Sequence, residues 1–133
     1  MFFNRANHRL PKFPPNVAPT FRMLCGLVSQ EELISLRESI SLNLQDILDQ
    51  SKENENIDPE AACQLADICN YLLDRYNDYP EKLKKLIIGA VRYVAISDDP
   101  FDDGTFATGF FDDMRIVNHV LEKLGIEDRY FTI

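Results

Sequence analysis

At 133 residues, with 45% hydrophobic and 27% charged side chains, the chain has the length and composition of one soluble globular domain that can form a core without staples. Its net charge of −8 disfavours nucleic acid and anionic lipid as partners of the general surface. No apolar run approaches the roughly 20 residues of a membrane span. Three cysteines, Cys25, Cys63 and Cys69, lack metal-ligand spacing and read as free thiols.

The charge is segregated. Residues 1–28 hold Arg5, Arg9, Lys12 and Arg22 and no acid, so the remainder of the chain is strongly acidic. Pro11, Pro14, Pro15 and Pro19 crowd the same stretch, and proline opposes both helix interior and central strand. Residues 1–28 are therefore expected to form an extended, basic, Pro-rich arm, with residues 29–133 as the folded domain. Such an arm can lie on the acidic body, touch phosphate weakly, or dock a partner through Phe2, Phe3 and Phe13. Its opening "MFFNRANHRL" has no apolar signal-peptide core, and the expected location is the cytoplasm.

The first clear helix begins at Ser29, where Ser29 and Glu32 have the spacing of a capping box. Leu33, Leu36, Ile40, Leu44 and Ile47 then recur at three- and four-residue steps and define one apolar face. A polar link, "SKENEN", follows. Asp58-Pro59 supplies a cap and first position for a second helix, with a stripe of Ala62, Leu65, Ala66, Ile68, Cys69, Leu72, Leu73 and Tyr76. "NDYP" breaks the chain before a third helix, from about Pro80 to Ile96. That helix is apolar around most of its circumference, which predicts a central, buried position. Its narrow polar side is Lys82, Lys85 and Arg92, a solvated edge unless Arg92 finds a charge partner in the loop that follows. A last helix runs from Gly109, with Thr108 as cap, to Gly125 as stop, and the tail ending in Tyr130, Phe131 and Ile133 can fold back on it. No strand-period segment appears. The predicted class is all-α, a single-domain bundle of four or more helices with an extended Pro-rich N-terminal arm.

The segment that invites a chemical reading is "DDPFDDGTFATGFFDD", residues 98–113. Aligned on Gly104 as a calcium loop, it offers Asp99 at position one and Asp103 at five, but Phe101 at three and Phe110 at twelve, which rules out an EF-hand. An irregular Ca²⁺ or Mg²⁺ site from Asp98, Asp99, Asp102 and Asp103 remains open, since hard cations require only several oxygens in reach. Phe101, Phe106, Phe110 and Phe111 either plug the loop into the bundle or leave an aromatic patch on an acidic rim; as an interaction site the candidates are Phe101, Phe106 and Phe111. At about 100° per residue, Asp113 falls within the apolar stripe of Phe110, Val117, Val120 and Leu124 and is expected to face inward. Asp112 lies about a quarter-turn outside that stripe and is expected to be wet. A buried carboxylate needs donors, so Asp113 is assigned to pinning the loop through backbone N–H groups or Arg92.

No catalytic constellation is present. There is no Glu-x-x-His pair for a di-iron site, no nucleophile elbow, no P-loop and no dinucleotide glycine pattern. Asp112, Arg115, His119 and Glu122 share one helix face, which reads as a solvated ion-pair surface rather than a catalytic His with an orienting acid.

Residues 92–121, "RYVAISDDPFDDGTFATGFFDDMRIVNHVL", resemble the YkvA-like family of small helical bacterial domains of unknown function. Tyr93, Ser97, Gly109, Asp112 and Asp113 fit that family's pattern of a helix ending in Tyr and Ser, then Gly-x-x-Asp-Asp opening the next helix, with apolar Ile116 and Val117 after it. The loop departs from the pattern: "SDDPFDDGTFATG" replaces the proline-rich family segment and is one residue shorter. The resemblance implies a helix–loop–helix corner whose second aspartate is structural, and it carries no established activity. The functional expectation is a non-enzymatic interaction module that uses the acidic-aromatic loop and the basic arm, with a protein partner or a second copy as ligand. A divalent-cation-binding sensor or hydrolase built on the 98–103 aspartates is the alternative. Gly109, Arg92 and Asp113 are the expected structural residues of the corner.

Overall fold

The computed structural model describes residues 8–12, 15–96 and 106–132, the side chains of 106–109 excepted. Its helices are α1 (Val17–Leu24), α2 (Gln30–Ser51), α3 (Pro59–Asp74), α4 (Glu81–Ile96) and α5 (Phe106–Leu124), with one 3₁₀ turn at Tyr76–Asp78. There is no strand among the described residues, and the chain is an all-α bundle. No helix of the described residues is long and apolar enough to cross a membrane.

The caps anticipated from the sequence form. Ser29 Oγ accepts from the Glu32 N–H at 3.1 Å while the Glu32 carboxylate accepts from the Ser29 N–H at 3.2 Å, so two orphan donors of α2 are satisfied reciprocally. Asp58 accepts from the Ala61 N–H at 3.1 Å, with Pro59 at the first helical position of α3. Gly125 ends α5 with φ of 79°, a conformation that a Cβ would strain.

The extended arm needs correction at residues 17–24, which are helical and packed. The prolines do not prevent this. Asn16 occupies the N-cap position of α1, so Pro19 falls at its third position, where a backbone N–H has no intrahelical acceptor to lose. The first helical bond runs from Thr20 N–H to Asn16 O at 3.0 Å. Val17 and Phe21 face inward, and Phe21 is 1% exposed, a burial worth about 1.5–3 kcal/mol for a side chain of this size.

α1 packs on α4 at Gly89. A Cβ at that position would run into the Cys25 Sγ and come within 2.9 Å of the Phe21 ring. The glycine is therefore what lets the two helices approach. Tyr76 fixes the next stretch of chain, accepting from the Val28 N–H at 3.0 Å and donating to the Val28 carbonyl at 3.4 Å.

α4 packs against α1, α2, α3 and α5, the central position that its nearly all-round apolar surface predicted. Ile87, Ile88, Ala90 and Val91 are fully buried in it. The stripes of α2 and α3 close on it, and Arg37 of α2 is paired with Asp74 of α3 on the outside. α5 begins at Phe106 rather than at Gly109, so Thr108 and Gly109 lie within the helix. A glycine in a helix costs roughly 1 kcal/mol, which packing of the following four turns outweighs. The C-terminal tail returns to α5 as anticipated: Asn118, 2% exposed, donates to the Phe131 carbonyl at 2.9 Å and accepts its N–H at 2.7 Å. Arg129 in the same tail stacks over Tyr71 of α3 at 4.0 Å.

Candidate functional site

Two places on α5 bring polar groups together, and they differ in kind. The first is the corner at its N-terminal end. Asp113 is 0% exposed and lies close enough to Cys69 of α3 for its charge to add to the burial that pushes the Cys69 thiol far up in pKa. Asp113 thus faces the core, and it is engaged there. Asp112 does not have the wet position expected of it; it is 8% exposed. A helical wheel gives an angle but not the arc that neighbours cover, and α5 is flanked by both α3 and α4. Burial raises the Asp112 pKa, and Arg115, one turn on at 3.5 Å, pulls it back.

Around this corner the phenylalanines diverge. Phe110 packs against the small cluster of Ile47, Ile57 and Ala62 between α2 and α3, whereas Phe111 is 43% exposed. Ile96, at the end of α4, is exposed as well. The Arg92 guanidinium donates to the Leu24 carbonyl at 3.0 Å and approaches Glu32 at 3.9 Å, tying α4 to the end of α1 and the start of α2. Asp98, Asp99, Phe101, Asp102 and Asp103 lie outside the described residues, as does the side chain of Phe106. Gly109 is within α5. Among the described residues there is no group of three or more His, Cys, Asp or Glu side chains able to hold a metal ion. The cysteines are free, with Cys69 buried and Cys25 and Cys63 partly so.

The second place is an open groove where residues 9–12, Pro15, α1 and α5 meet. Arg9, Lys12, Arg22 and His119 line it together with Leu10, Pro11, Pro15 and Ala18, around a volume of about 490 Å³, within the range of small-ligand and peptide-side-chain pockets. Ala18 and Arg22 are one turn apart on α1, on the side away from buried Val17 and Phe21, so the packing of α1 aims Arg22 into the groove. The first turn of α1 has no acidic residue and no side-chain cap, which leaves its positive dipole end uncompensated beside Pro15. Arg9, Lys12 and Arg22 have no ion-pair partner among the described residues, in a protein whose net charge is −8.

His119 is held from two sides. Its Nδ1 is 2.7 Å from the His8 carbonyl, which fixes Nδ1 as the donor. The Phe21 ring meets it edge-on, with centroids 6.1 Å apart. Glu122, one turn further, accepts from the His8 N–H at 3.4 Å, and the His8 ring packs in a tilted arrangement against Tyr130 of the tail, centroids 4.3 Å apart. The face of Asp112, Arg115, His119 and Glu122 is therefore not the free ion-pair surface expected of it. The N-terminal segment covers its lower half, and Asp112–Arg115 is its ion pair.

The sequence marks the basic arm as a binding surface but not the groove that Arg9, Lys12 and Arg22 form with His119. The i,i+4 pair of Ala18 and Arg22 was visible once α1 is granted. The meeting of His8 with His119 across 111 positions left no local signal. Comparison with family models, with curated proteins and with solved structures found no match.

Proposed function

We propose that this chain is a non-enzymatic interaction module that receives an acidic segment of a protein partner in the basic groove of residues 9–12, Pro15, α1 and α5. The observation that carries the reading is the convergence of Arg9, Lys12 and Arg22 on one open groove, without ion-pair partners among the described residues, on an otherwise acidic molecule. Three like charges gathered in one groove repel one another, and an acidic ligand relieves that repulsion. Leu10, Pro11, Pro15 and Ala18 add an apolar floor, so the groove suits acidic residues interleaved with apolar ones. The exposed Phe111 and Ile96 offer further apolar contacts within the same reading. The YkvA-like kinship of residues 92–121 is part of the proposal, and the buried Asp113 supports it as the structural second aspartate.

The test is calorimetric titration at low salt with a hexaglutamate peptide and with hexaglutamine as the neutral control. Binding of the acidic peptide alone, weakened at least tenfold by the double substitution Arg9→Glu and Arg22→Glu and weakened again by added salt, supports the reading. Equal behaviour of the two peptides, or indifference to the double substitution, sinks it.

A further inference from the structure

His119 is the one member of the groove whose charge changes near neutral pH, and its two ring nitrogens have different fates. Nδ1 carries its proton to the His8 carbonyl at 2.7 Å. A neutral imidazole then bears its lone pair on Nε2, and Nε2 has no hydrogen-bond partner among the described residues. His119 is one of the residues that line the groove. An anionic oxygen seated among Arg9, Lys12 and Arg22 therefore meets either a lone pair, which repels it, or an N–H, which it can accept.

We infer that the groove is a proton-coupled anion site: a carboxylate bound by Arg9, Lys12 and Arg22 is met by Nε2 of His119, which takes up one proton from solvent as the ligand seats. This rests on the acidic-partner reading and adds its regulation. The step balances simply. One proton moves from water or buffer to Nε2, the imidazole gains a positive charge, and the new N–H donates to the incoming carboxylate while Nδ1–H keeps its bond to His8.

The surroundings favour the uncharged ring before a ligand arrives. Burial lowers the His119 pKa; the His8 carbonyl opposes this, Lys123 lowers it further, Glu122 raises it and Arg22 lowers it. The charged or titratable groups around the ring are His8 from the N-terminal segment, Arg22 from α1, and Glu122 and Lys123 from α5, with Arg9 and Lys12 lining the same groove. Cations outnumber the one carboxylate. An arriving anion reverses that balance, so ligand and proton reinforce each other. By linkage, the affinity for the anion rises as pH falls, and occupancy raises the pKa of His119 by the same coupling.

Hexaglutamate is a suitable probe because its carboxylates, with ordinary pKa near 4.3, stay largely ionised above about pH 5.5. Titrations at about pH 5.5 and about pH 8, each in two buffers of different ionisation enthalpy, give both affinity and protons taken up. A rise of one unit in the pKa of His119 on binding corresponds to up to about tenfold tighter binding at the lower pH. The expected result is that gain, with net proton uptake, abolished in His119→Gln and retained in His8→Gln, the only other histidine. Proton NMR of the wild-type imidazoles, assigned by the His8 variant, provides the same reading without touching the groove: the His119 midpoint moves up on adding peptide. Peptide binding that is independent of pH, or a pH dependence that survives in His119→Gln, overturns the proton coupling and leaves the acidic-partner reading standing. Absence of peptide binding at both pH values overturns both.

Discussion

Asp113 and His119 are less than two turns apart on α5, yet the helix places them in opposite electrical situations. Asp113 is sealed between α5 and α3 beside the Cys69 thiol. His119 is half-buried, with one nitrogen tied to the N-terminal segment and its ring at the wall of an open, cationic groove. Burial acts on both, but with different consequences. At the sealed end an ionisable group is a fixed structural element whose removal leaves buried polar groups without company. At the open end the cost of desolvation is reversible, because a ligand can compensate it. A buried titratable group is structural or responsive according to whether its remaining polar valence ends in the core or in a space that something else can enter.

The contrast breaks most sharply at Asp113. Asp113→Ala is expected to destabilise the fold by roughly 2–4 kcal/mol, since it strands polar groups in a dry place and opens a small void. Denaturant unfolding of wild type and variant measures it. A loss below about 0.5 kcal/mol, the range of an exposed site, would remove the sealed end of the comparison.

Next in size is Gly89→Ala. A methyl group there meets Cys25 and Phe21, so α1 must shift away from α4. Overpacking of this kind costs about 1–3 kcal/mol. Because α1 carries Ala18 and Arg22, the same substitution is expected to weaken hexaglutamate binding although Gly89 lines no part of the groove. Full stability with full binding would mean that the close approach of α1 to α4 is not what holds the groove in shape.

How much of this was legible beforehand follows from the range of each signal. The capping box at Ser29 and Glu32, the Asp58-Pro59 start, the glycine stop at 125 and the inward phase of Asp113 are set within one or two helical turns, and each was readable. The 17–24 helix was not, because a proline density suggests extended chain unless the register of each proline is known; Pro19 is harmless only at the third helical position. Asp112 was misplaced because periodicity gives phase around one helix but not the reach of its neighbours. The groove was invisible for a different reason. It joins residues 8–12, α1 and the end of α5, and no local pattern encodes a contact between His8 and His119.

The smallest expected effect separates the members of the acid doublet. Burial raises the pKa of Asp112 in the folded protein, with Arg115 opposing. An acid whose folded-state pKa exceeds its unfolded value holds its proton more tightly in the native state, so its contribution favours the fold at low pH and is lost as pH rises through the interval between the two values. At pH 7 the charged Asp112 is therefore a mild liability, offset by a half-exposed Arg115 whose pairing is worth little. Asp112→Asn, isosteric and neutral, is expected to leave stability at pH 7 unchanged or raised by up to about 0.5 kcal/mol and to flatten the pH dependence above the ordinary aspartate range near 3.9. Thermal melts between about pH 4 and pH 7 measure both quantities. If Asp112→Asn instead cost as much as Asp113→Ala, the two carboxylates would be equally committed to the fold, and the line between structural and tolerant positions would have to be drawn further along α5, toward His119.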